Sequence, residues 1–312
     1  MSDATLWIVS PMLRDTESML RLRTDTAEAC RAAAITLPIR HLVIDDSAGT
    51  DDEVGRLTGL ADVEVLTPPF NLGHQRAIVF GLRHLASRLE PDDIVVTMDS
   101  DGEDQPIDVP RLVDALVESR RPLALARRTK RSEPWRFRLM YVLFRTMFRV
   151  FTGTTVRSGN FAAQTAASLQ VTVDHPSFDL CYSSTLLALR RPTVEVPCAR
   201  GQRFAGESRM NSSALVSHGM RMLLPFSERI AVRMMVVAAV TLVSAIVYSV
   251  LLAVGIAGSR PPISALLPLV ALVALCLASF IIFVVLFSGF TQASAIAMKG
   301  IGTSAPSPAD NR

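Results

Sequence analysis

The chain has 312 residues, of which 49% are hydrophobic and 20% are charged, and its formal net charge at pH 7 is +3. This composition excludes a disordered protein, and the length suffices for one α/β domain of about 200 residues with an appended element. The four cysteines are widely spaced and form no Cys-x-x-Cys pair, which argues against a disulfide framework or a cysteine-bound metal.

Short apolar strands alternate with helical patterns in the N-terminal part of the chain. The predicted strands cover residues 6–10, 40–44, 63–66, 94–98 and 122–126. The predicted helices are one that ends near residue 33 and three over residues 52–60, 73–89 and 108–118. This alternation predicts an α/β fold with a mostly parallel sheet, and ligands of such sheets bind beyond the carboxyl ends of the strands.

Acidic and basic residues are segregated in the middle of the chain. Residues 92–108 contain seven acids and no base, whereas residues 120–157 contain eleven bases and one acid. The acidic cluster begins directly after a predicted strand, which favours a site over a solvated face. Residues 135–151 alternate large apolar side chains with arginines, and two interpretations stay open: a helix at a lipid headgroup surface, or a core helix with its arginines outward.

The C-terminal third is far more apolar than the rest. Residues 234–257 and 261–298 carry no charge, and each stretch exceeds the roughly 20 residues that a transmembrane helix needs. Eight arginines precede the first stretch, whereas the short connector has only Arg260, so the globular part is expected in the cytoplasm. The predicted organisation is a globular domain over 1–210, a juxtamembrane amphipathic helix over 211–229, two transmembrane helices over 230–298 and a disordered tail over 299–312.

Two aspartates, Asp99 and Asp101, directly follow the fourth predicted strand. Carboxylate oxygens on a short turn suit Mg²⁺ or Mn²⁺, which keeps several waters and bridges to substrate phosphates. An Asp-x-Asp triplet alone is common in acidic loops, so its place at a strand end and the motifs around it carry the interpretation.

Those motifs occur in a fixed order and resemble one family. They are Asp45-Asp46, Asn71-x-Gly73-x-x-x-Ala77-x-x-x-Gly81, Asp99-Ser-Asp101-Gly-Glu-Asp-Gln-Pro106 and Arg200-Gly-Gln-Arg203-Phe-Ala-Gly206-Glu-Ser208-Arg209. Over roughly residues 5–295, the chain resembles family 2 glycosyltransferases of the GT-A fold. It is most similar to the branch that contains dolichyl-phosphate mannosyltransferase and bacterial polyprenyl-phosphate glycosyltransferases.

The resemblance implies roles for the matched positions. Asp45 and Asp46 would bind the base or ribose of a nucleotide, and Asp99 and Asp101 would hold the metal on the donor diphosphate. Glu103 stands where relatives often have a glutamine metal ligand. The predicted metal ligands are therefore Asp99, Asp101 and Glu103.

The resemblance also implies the phosphate contacts and the reacting groups. Arg203, and either Arg127 or Arg128, would pair with phosphate through the forked guanidinium. Asn71 and Gly73 would shape the donor turn, with a helix N-cap and a turn glycine as the equal alternative. The predicted catalytic residues are Asp101, Arg203 and Asp179, and the further predicted substrate contacts are Pro11, Asp15, Asn160, Arg200 and Ser208. For Asp179, an acceptor-side role competes with a simple charge at a helix N-terminus.

Two segments depart from the family pattern. The opening Pro-x-Tyr-Asn-Glu of the family is Pro11-Met-Leu-Arg14-Asp15 here, and an acidic residue of relatives is replaced within Arg157-Ser158-Gly159-Asn160-Phe161. A carboxylate often assigned to catalysis or acceptor orientation is thus missing. A phosphate acceptor does not need a general base, because its second pKa is about 6 and it is already anionic at neutral pH.

The sequence therefore predicts inverting transfer of a sugar from a nucleotide-diphosphate sugar to a polyisoprenyl phosphate at the cytoplasmic membrane face. The enzyme would be a multi-pass protein of the inner membrane, in contact with the lipid bilayer. A homo-oligomer is left open, and nucleic acid is not an expected partner. The alternatives are a catalytically impaired GT-A membrane scaffold and a processive polysaccharide synthase.

Overall fold

The computed structural model describes residues 4–129, 135–156, 158–175, 177–205, 212–253, 270–281 and 283–284. The strands are β1 (Leu6–Met12), β2 (Ile39–Asp45), β3 (Val63–Leu66), β4 (Ile94–Thr97), β5 (Leu123–Arg128), β6 (Ser158–Thr165) and β7 (Thr193–Cys198). The helices are α1 (Thr16–Ala32), α2 (Gly55–Thr58), α3 (His74–Ala86), α4 (Asp108–Ser119), α5 (Trp135–Thr152), α6 (Ala166–Val173), α7 (Tyr182–Ala188), α8 (Ser212–Leu223) and α9 (Ser227–Ala253). A 3-10 turn, Leu224–Phe226, joins α8 to α9.

The strands form one sheet in the order β3-β2-β1-β4-β6-β5-β7. Neighbouring strands are parallel except for β6, which runs antiparallel to both β4 and β5. The predicted mostly parallel sheet is therefore confirmed, and the predicted 52–60 helix is shorter, as α2. The sequence interpretation did not include β6, β7, α6 or α7.

Helices cover both faces of the sheet, because alternate residues of a strand point to opposite sides. Leu6 and Ile8 of β1 pack in one core cluster with α1 and α4, while Trp7 and Val9 pack in the other with α3, α6 and α7. Every residue of β1 is buried, which explains its continuous apolar sequence.

The carboxyl ends of β1, β2 and β4 meet at one edge of the sheet. The order of the strands reverses at β1, because β2 and β3 are added on one side of it and β4 on the other. Such a switch point opens a crevice between the loops that follow the two strands. The loops after β1 and β4 are joined there by a hydrogen bond of 3.0 Å from Ser100 Oγ to the Pro11 carbonyl.

A third cluster joins the C-terminal helices to the sheet domain. Phe148 of α5, Cys181 before α7, and Phe226 and Ile230 around the start of α9 are all buried in it. Arg233 Nη1 of α9 also donates to the Val150 carbonyl of α5 at 2.5 Å. The base of α9 is thus packed against α5 and the globular domain.

The outward face of α5 carries apolar and basic side chains together. Leu143 and Val150 are each 63% exposed, and Arg145 and Arg149 are exposed beside them. Of the two interpretations of this helix, a core helix with outward arginines accounts for the buried Phe148. It does not account for Leu143 and Val150, which no part of the described chain covers.

One helix in the described ranges is long and apolar enough to cross a membrane. It runs from α8 through the 3-10 turn into α9 over Val216–Tyr248, 33 residues with a mean hydropathy of 2.4. Only 6% of its most apolar segment is buried, so it is not packed as a core helix is. A shorter apolar helix covers Val270–Ile281. Residues 254–269, 285–298 and the tail 299–312 lie outside the described residues, so the two-helix hairpin is not confirmed.

Candidate active site

The loop after β4, residues 99–105, concentrates carboxylates and is called the acidic loop below. Asp99 Oδ1 lies 3.2 Å from His74 Nε2 and 3.4 Å from Asn160 Nδ2. Asp101 accepts a hydrogen bond of 2.9 Å from the Glu103 backbone amide and forms an ion pair with Arg203. The acidic loop therefore presents its carboxylates to partners from three other segments of the chain.

The loop after β7, residues 199–205, lies directly on the acidic loop. Its backbone amides donate from Gly201 to the Glu103 carbonyl at 2.9 Å and from Phe204 to the Asp101 carbonyl at 2.8 Å. A Cβ atom at Gly201 would lie 2.5 Å from the Gly102 carbonyl oxygen, so this approach requires glycine. The contact brings Arg200 to Glu103 and Arg203 to Asp101, as ion pairs.

The two arginines that end β5 point to opposite faces of the sheet. Arg128 Nη2 lies 3.5 Å from Asp104 Oδ1 in the acidic loop, whereas Arg127 Nε lies 3.6 Å from Glu195 Oε2 of β7. The alternation of strand side chains explains the difference. Of the two arginines left open by the sequence, only Arg128 contacts the acidic loop.

The crowded carboxylates of the acidic loop shift each other's pKa. Burial, together with the charge of Asp99, raises the pKa of Asp104 to about 7. Burial also opposes the charge on Asp99, but His74, Arg128 and Asn160 outweigh it and hold the pKa of Asp99 below its usual value. The surroundings therefore favour the ionised form of Asp99 and disfavour that of Asp104.

His74, the first residue of α3, also contacts this loop. Burial lowers the pKa of His74, but the charges of Asp99, Asp104 and Asp101 outweigh burial and raise it. Sequence reasoning did not assign His74 or Asp104 to the site. Asp104 lies inside the quoted Asp99–Pro106 motif and His74 inside the quoted Asn71–Gly81 motif, but each stands at a position to which no role was assigned.

The loop after β2, residues 45–50, holds its two aspartates differently. Asp46 accepts hydrogen bonds from the backbone amides of Leu72 at 2.6 Å and Gly73 at 2.9 Å, and Asn71 Nδ2 donates to the Asp46 carbonyl at 2.7 Å. Asp45 Oδ1 accepts from the Ser47 amide at 3.1 Å. Both aspartates are buried, and their contact with a nucleotide stays a prediction.

Gly73 is a turn glycine that precedes α3, with φ of +76° and ψ of 151°. The structure thus agrees with the turn-glycine alternative. Asn71 does not cap the helix, because its amide is bound to Asp46 and α3 has no side-chain cap. The N-cap alternative for Asn71 is therefore wrong.

The remaining predicted residues are dispersed. Asp15 stands just before α1, and its charge acts on Arg203. Both carboxylate oxygens of Asp179 accept from Arg83 of α3, at 2.7 and 2.9 Å, an arrangement that favours a structural ion pair. The acceptor-side role of Asp179 stays a prediction. Ser208 lies outside the described residues.

The predicted metal ligands do not form a complete set by themselves. Within the described ranges, no group of three or more histidine, cysteine, aspartate or glutamate side chains is arranged to hold a metal ion. Glu103 is drawn into ion pairs with Arg200 and Arg203. Asp99 and Asp101 would therefore leave most coordination positions to water and phosphate, as is usual for Mg²⁺.

Comparison with known proteins finds similarity to glycosyltransferases over the sheet domain. Residues 24–173 match the family model described as Glycosyl transferase family 2. The chain is 26% identical over 222 residues to undecaprenyl-phosphate 4-deoxy-4-formamido-L-arabinose transferase of Sodalis glossinidius (strain morsitans) and 24% identical over 221 residues to the enzyme of that name from Klebsiella pneumoniae (strain 342). Both alignments cover 67% of this chain and 64% of the relative, so the chain spans less than two thirds of the length of these relatives. The family model thus matches 150 of the 312 residues, in agreement with the resemblance found in the motifs of the chain.

Solved structures show more distant likeness. Glucosyl-3-phosphoglycerate synthase from Mycobacterium tuberculosis, in complex with Mn²⁺, uridine diphosphate and glucosyl-3-phosphoglycerate, is 16% identical, with a TM-score of 0.47 over 72% of this chain and 80% of that chain. Mannosyl-3-phosphoglycerate synthase from Rubrobacter xylanophilus is 11% identical, with a TM-score of 0.48 over 72% of this chain and 74% of that chain.

Proposed function

We propose that the chain is a metal-dependent glycosyltransferase that moves one sugar from a nucleotide-diphosphate sugar to a polyisoprenyl phosphate. The observation that carries this proposal is the pairing of carboxylates with guanidinium groups at the switch point of the sheet, where Asp101 meets Arg203 and Asp104 meets Arg128. Carboxylates suit a divalent cation and guanidinium groups suit phosphates. The printed names of the curated relatives favour a lipid phosphate as the acceptor.

The residues present fit Mg²⁺ or Mn²⁺. Asp99 and Asp101 supply hard oxygen donors. Burial and the charge of Asp99 together raise the pKa of Asp104, and a dication at this place would relieve the repulsion between these carboxylates. When bound, such an ion would stabilise the departing nucleoside diphosphate.

The protein's own groups bind and orient two anionic substrates. Arg203 and Arg128 already lie beside carboxylates, so short side-chain rotations would bring them to phosphate oxygens. The acceptor phosphate brings its own anionic oxygen, so no general base is needed in the place of Asn160. We expect attack on the anomeric carbon in line with the leaving diphosphate, and therefore inversion.

The membrane geometry belongs to the same proposal. We expect α9 to be the first of two spans in a hairpin, with the globular domain on the cytoplasmic side of the inner membrane. The charge-free stretches of the sequence and the exposed apolar surface of Val216–Tyr248 support it. The mixed apolar and basic face of α5 suits the headgroup layer beside that span.

A second candidate is a membrane scaffold that has kept the fold and lost the reaction. The acidic residue that the family resemblance implies near Asn160 is missing, which favours it. The carboxylates and arginines that remain together in the site oppose it.

A donor screen tests the proposal. The full chain, purified in lipid nanodiscs, is incubated with radiolabelled nucleotide sugars, undecaprenyl phosphate and Mn²⁺ or Mg²⁺, and product is extracted into organic solvent. Label in the lipid phase that disappears with a chelator and returns with metal is expected. Absence of lipid-linked label with every common donor contradicts the proposal, and calorimetric binding of a nucleoside diphosphate with Mn²⁺ then distinguishes an impaired enzyme from a scaffold that binds neither.

A further inference from the structure

A series of oriented hydrogen bonds leads from the start of α7 to Asp99. The backbone amide of Ser183 donates to Gln75 Oε1 at 3.3 Å, and the thiol of Cys181 donates to the same oxygen at 3.2 Å. Gln75 is only 3% exposed. Because a backbone N–H can only donate, the atom of Gln75 that faces Ser183 must be its oxygen, and Gln75 Nε2 must point the other way.

That amide nitrogen fixes the orientation of Asn160. Gln75 Nε2 donates to Asn160 Oδ1 at 2.6 Å. Since Nε2 has no acceptor capacity, the atom of Asn160 that it meets must be the oxygen, and the NH₂ group of Asn160 is turned toward the acidic loop. Its nitrogen lies 3.4 Å from Asp99 Oδ1, which can accept one of its hydrogens. The same nitrogen lies 2.6 Å from His74 Nε2, which can accept from it only in the neutral tautomer that carries its proton on Nδ1.

We propose that Asn160 is a positioning residue whose NH₂ group holds Asp99 Oδ1, leaving the second oxygen of Asp99 for a divalent cation, and that Gln75 sets this orientation. The inference rests on the proposed function, because it assigns a cation to Asp99. Partners of this kind, which orient a metal ligand without touching the metal, commonly govern metal affinity.

The choice of asparagine follows from the charges around it. A carboxylate in its place could only accept, so it would repel Asp99 Oδ1, in a loop that already contains Asp101 and Asp104. An amide donates to Asp99 and adds no charge.

The Gln75→Glu substitution is expected to reverse the orientation of the Asn160 amide, and it leaves the size of the side chain at position 75 almost unchanged. In its ionised form, which is favoured by measurement at pH 8 or above, the new carboxylate still accepts from the Ser183 amide, but its second oxygen cannot donate to Asn160 Oδ1. The Asn160 amide then turns so that its NH₂ meets this carboxylate, and its oxygen faces Asp99 in place of the donor. A purely space-filling role for Asn160 predicts no such effect on metal binding, because Asn160 itself is unchanged.

The experiment measures Mn²⁺ affinity directly, by the electron paramagnetic resonance of free Mn²⁺ during titration of the full chain in nanodiscs. We expect the dissociation constant to rise roughly 10-fold in Gln75→Glu and in Asn160→Ala. The matched control is Gln164→Glu, at another buried glutamine, which bonds Tyr182 Oη at 3.1 Å. Its Mn²⁺ affinity is expected to stay close to that of the wild type, although burial of a carboxyl group lowers its melting temperature.

The outcomes separate this inference from the proposed function. Wild-type Mn²⁺ affinity in Gln75→Glu, or a loss no larger than that of Gln164→Glu, overturns it. Wild-type affinity in Asn160→Ala overturns it too, even where Gln75→Glu does not fold, and so does a wild type that binds no Mn²⁺. If the variants weaken Mn²⁺ binding as expected but the wild type transfers no sugar, the positioning role stands and the proposed function fails.

Discussion

The β2 loop (residues 45–50) and the acidic loop both place adjacent or nearly adjacent aspartates at the carboxyl end of a parallel strand, yet they bind them to different partners. Asp46 is held by the backbone amides of Leu72 and Gly73. Asp101 and Asp99 meet the side chains of Arg203, His74 and Asn160. Backbone donors cannot leave without refolding, whereas side chains can rotate toward a ligand. Asp46 therefore stabilises the β2 loop, whereas the aspartates of the acidic loop are available to bind a ligand.

The pKa values of Asp46 in the β2 loop and Asp99 in the acidic loop are shifted in opposite directions. Burial raises the pKa of Asp46, although the amides of Leu72 and Gly73 oppose that effect. For Asp99, the neighbouring side chains outweigh burial and lower its pKa. Variants that break each loop should therefore affect different observables: sugar transfer for the acidic loop and folding for the β2 loop.

The largest expected effect is on the acidic loop. Asp101→Asn removes a carboxylate charge from the proposed metal site with almost no change in size, and we expect sugar transfer to fall about 100-fold or more, which corresponds to roughly 3 kcal/mol of transition-state stabilisation. The melting temperature should change little. The measurement is transfer of labelled sugar to undecaprenyl phosphate, with Asp25→Asn, in the exposed pair with Arg21, as the control. Full activity of Asp101→Asn contradicts the assignment.

The β2 loop should respond in stability. Asp46→Ala leaves the amides of Leu72 and Gly73 without their acceptor in a buried turn, and we expect the free energy of unfolding to fall by about 3 kcal/mol, from two lost acceptors at about 1–3 kcal/mol each. Chemical denaturation of the chain in detergent measures it. An unchanged stability with weakened nucleotide binding would instead support the predicted nucleotide contact of Asp46.

The sheet beneath both loops has a pH dependence of its own. His41 of β2 is fully buried, both ring nitrogens lack a hydrogen-bond partner in the described structure, and burial lowers its pKa to about 4. The unfolded chain binds this proton at a pKa of about 6.5, so stability is fully present above pH 6.5 and is lost as pH falls toward 4, by at most about 3 kcal/mol.

Comparison of the wild type with His41→Leu isolates that contribution. Denaturation midpoints at several pH values between 4 and 7 should fall more steeply in the wild type than in the variant. The variant should be at least as stable at pH 7, because the unpaired ring nitrogens are gone. Parallel pH curves for the two proteins would show that the pKa of His41 is the same in the folded and unfolded states, and would contradict the lowered pKa.

Much of the sheet could be predicted because its strands read as continuous apolar runs. β1 is buried on both faces, and β4 ends in the acidic motif. β6 could not be recognised as readily, since Ser158–Thr165 is rich in small and polar residues rather than β-branched ones. Yet β6 is the strand that inserts between β4 and β5 and delivers Asn160 to Asp99.

The site was predictable where its residues form a local motif. Asp101 and Arg203 belong to two separate motifs and do come together. Gln75 and Asn160 are 85 residues apart and are joined only by the packing of α3 against the sheet, so no spacing in the sequence indicates their contact. For Asp179, the sequence supplied the position before a helix but not Arg83, which binds it.

The smallest expected effect concerns the two arginines that end β5. Arg128 contacts the acidic loop, whereas Arg127 contacts Glu195 on the opposite face. Arg128→Gln removes the guanidinium beside Asp104, and we expect the KM for the nucleotide sugar to rise about 10-fold, because a hydrogen bond to a charged group contributes about 1.5–3 kcal/mol. Arg127→Gln, on the opposite face with Glu195, is the matched control and should leave KM unchanged. Equal effects of the two substitutions would mean that net positive charge, and not the position of one guanidinium, favours the donor. A rise in KM confined to Arg128→Gln, with kcat and melting temperature retained, would identify Arg128 as a ground-state contact of the donor diphosphate.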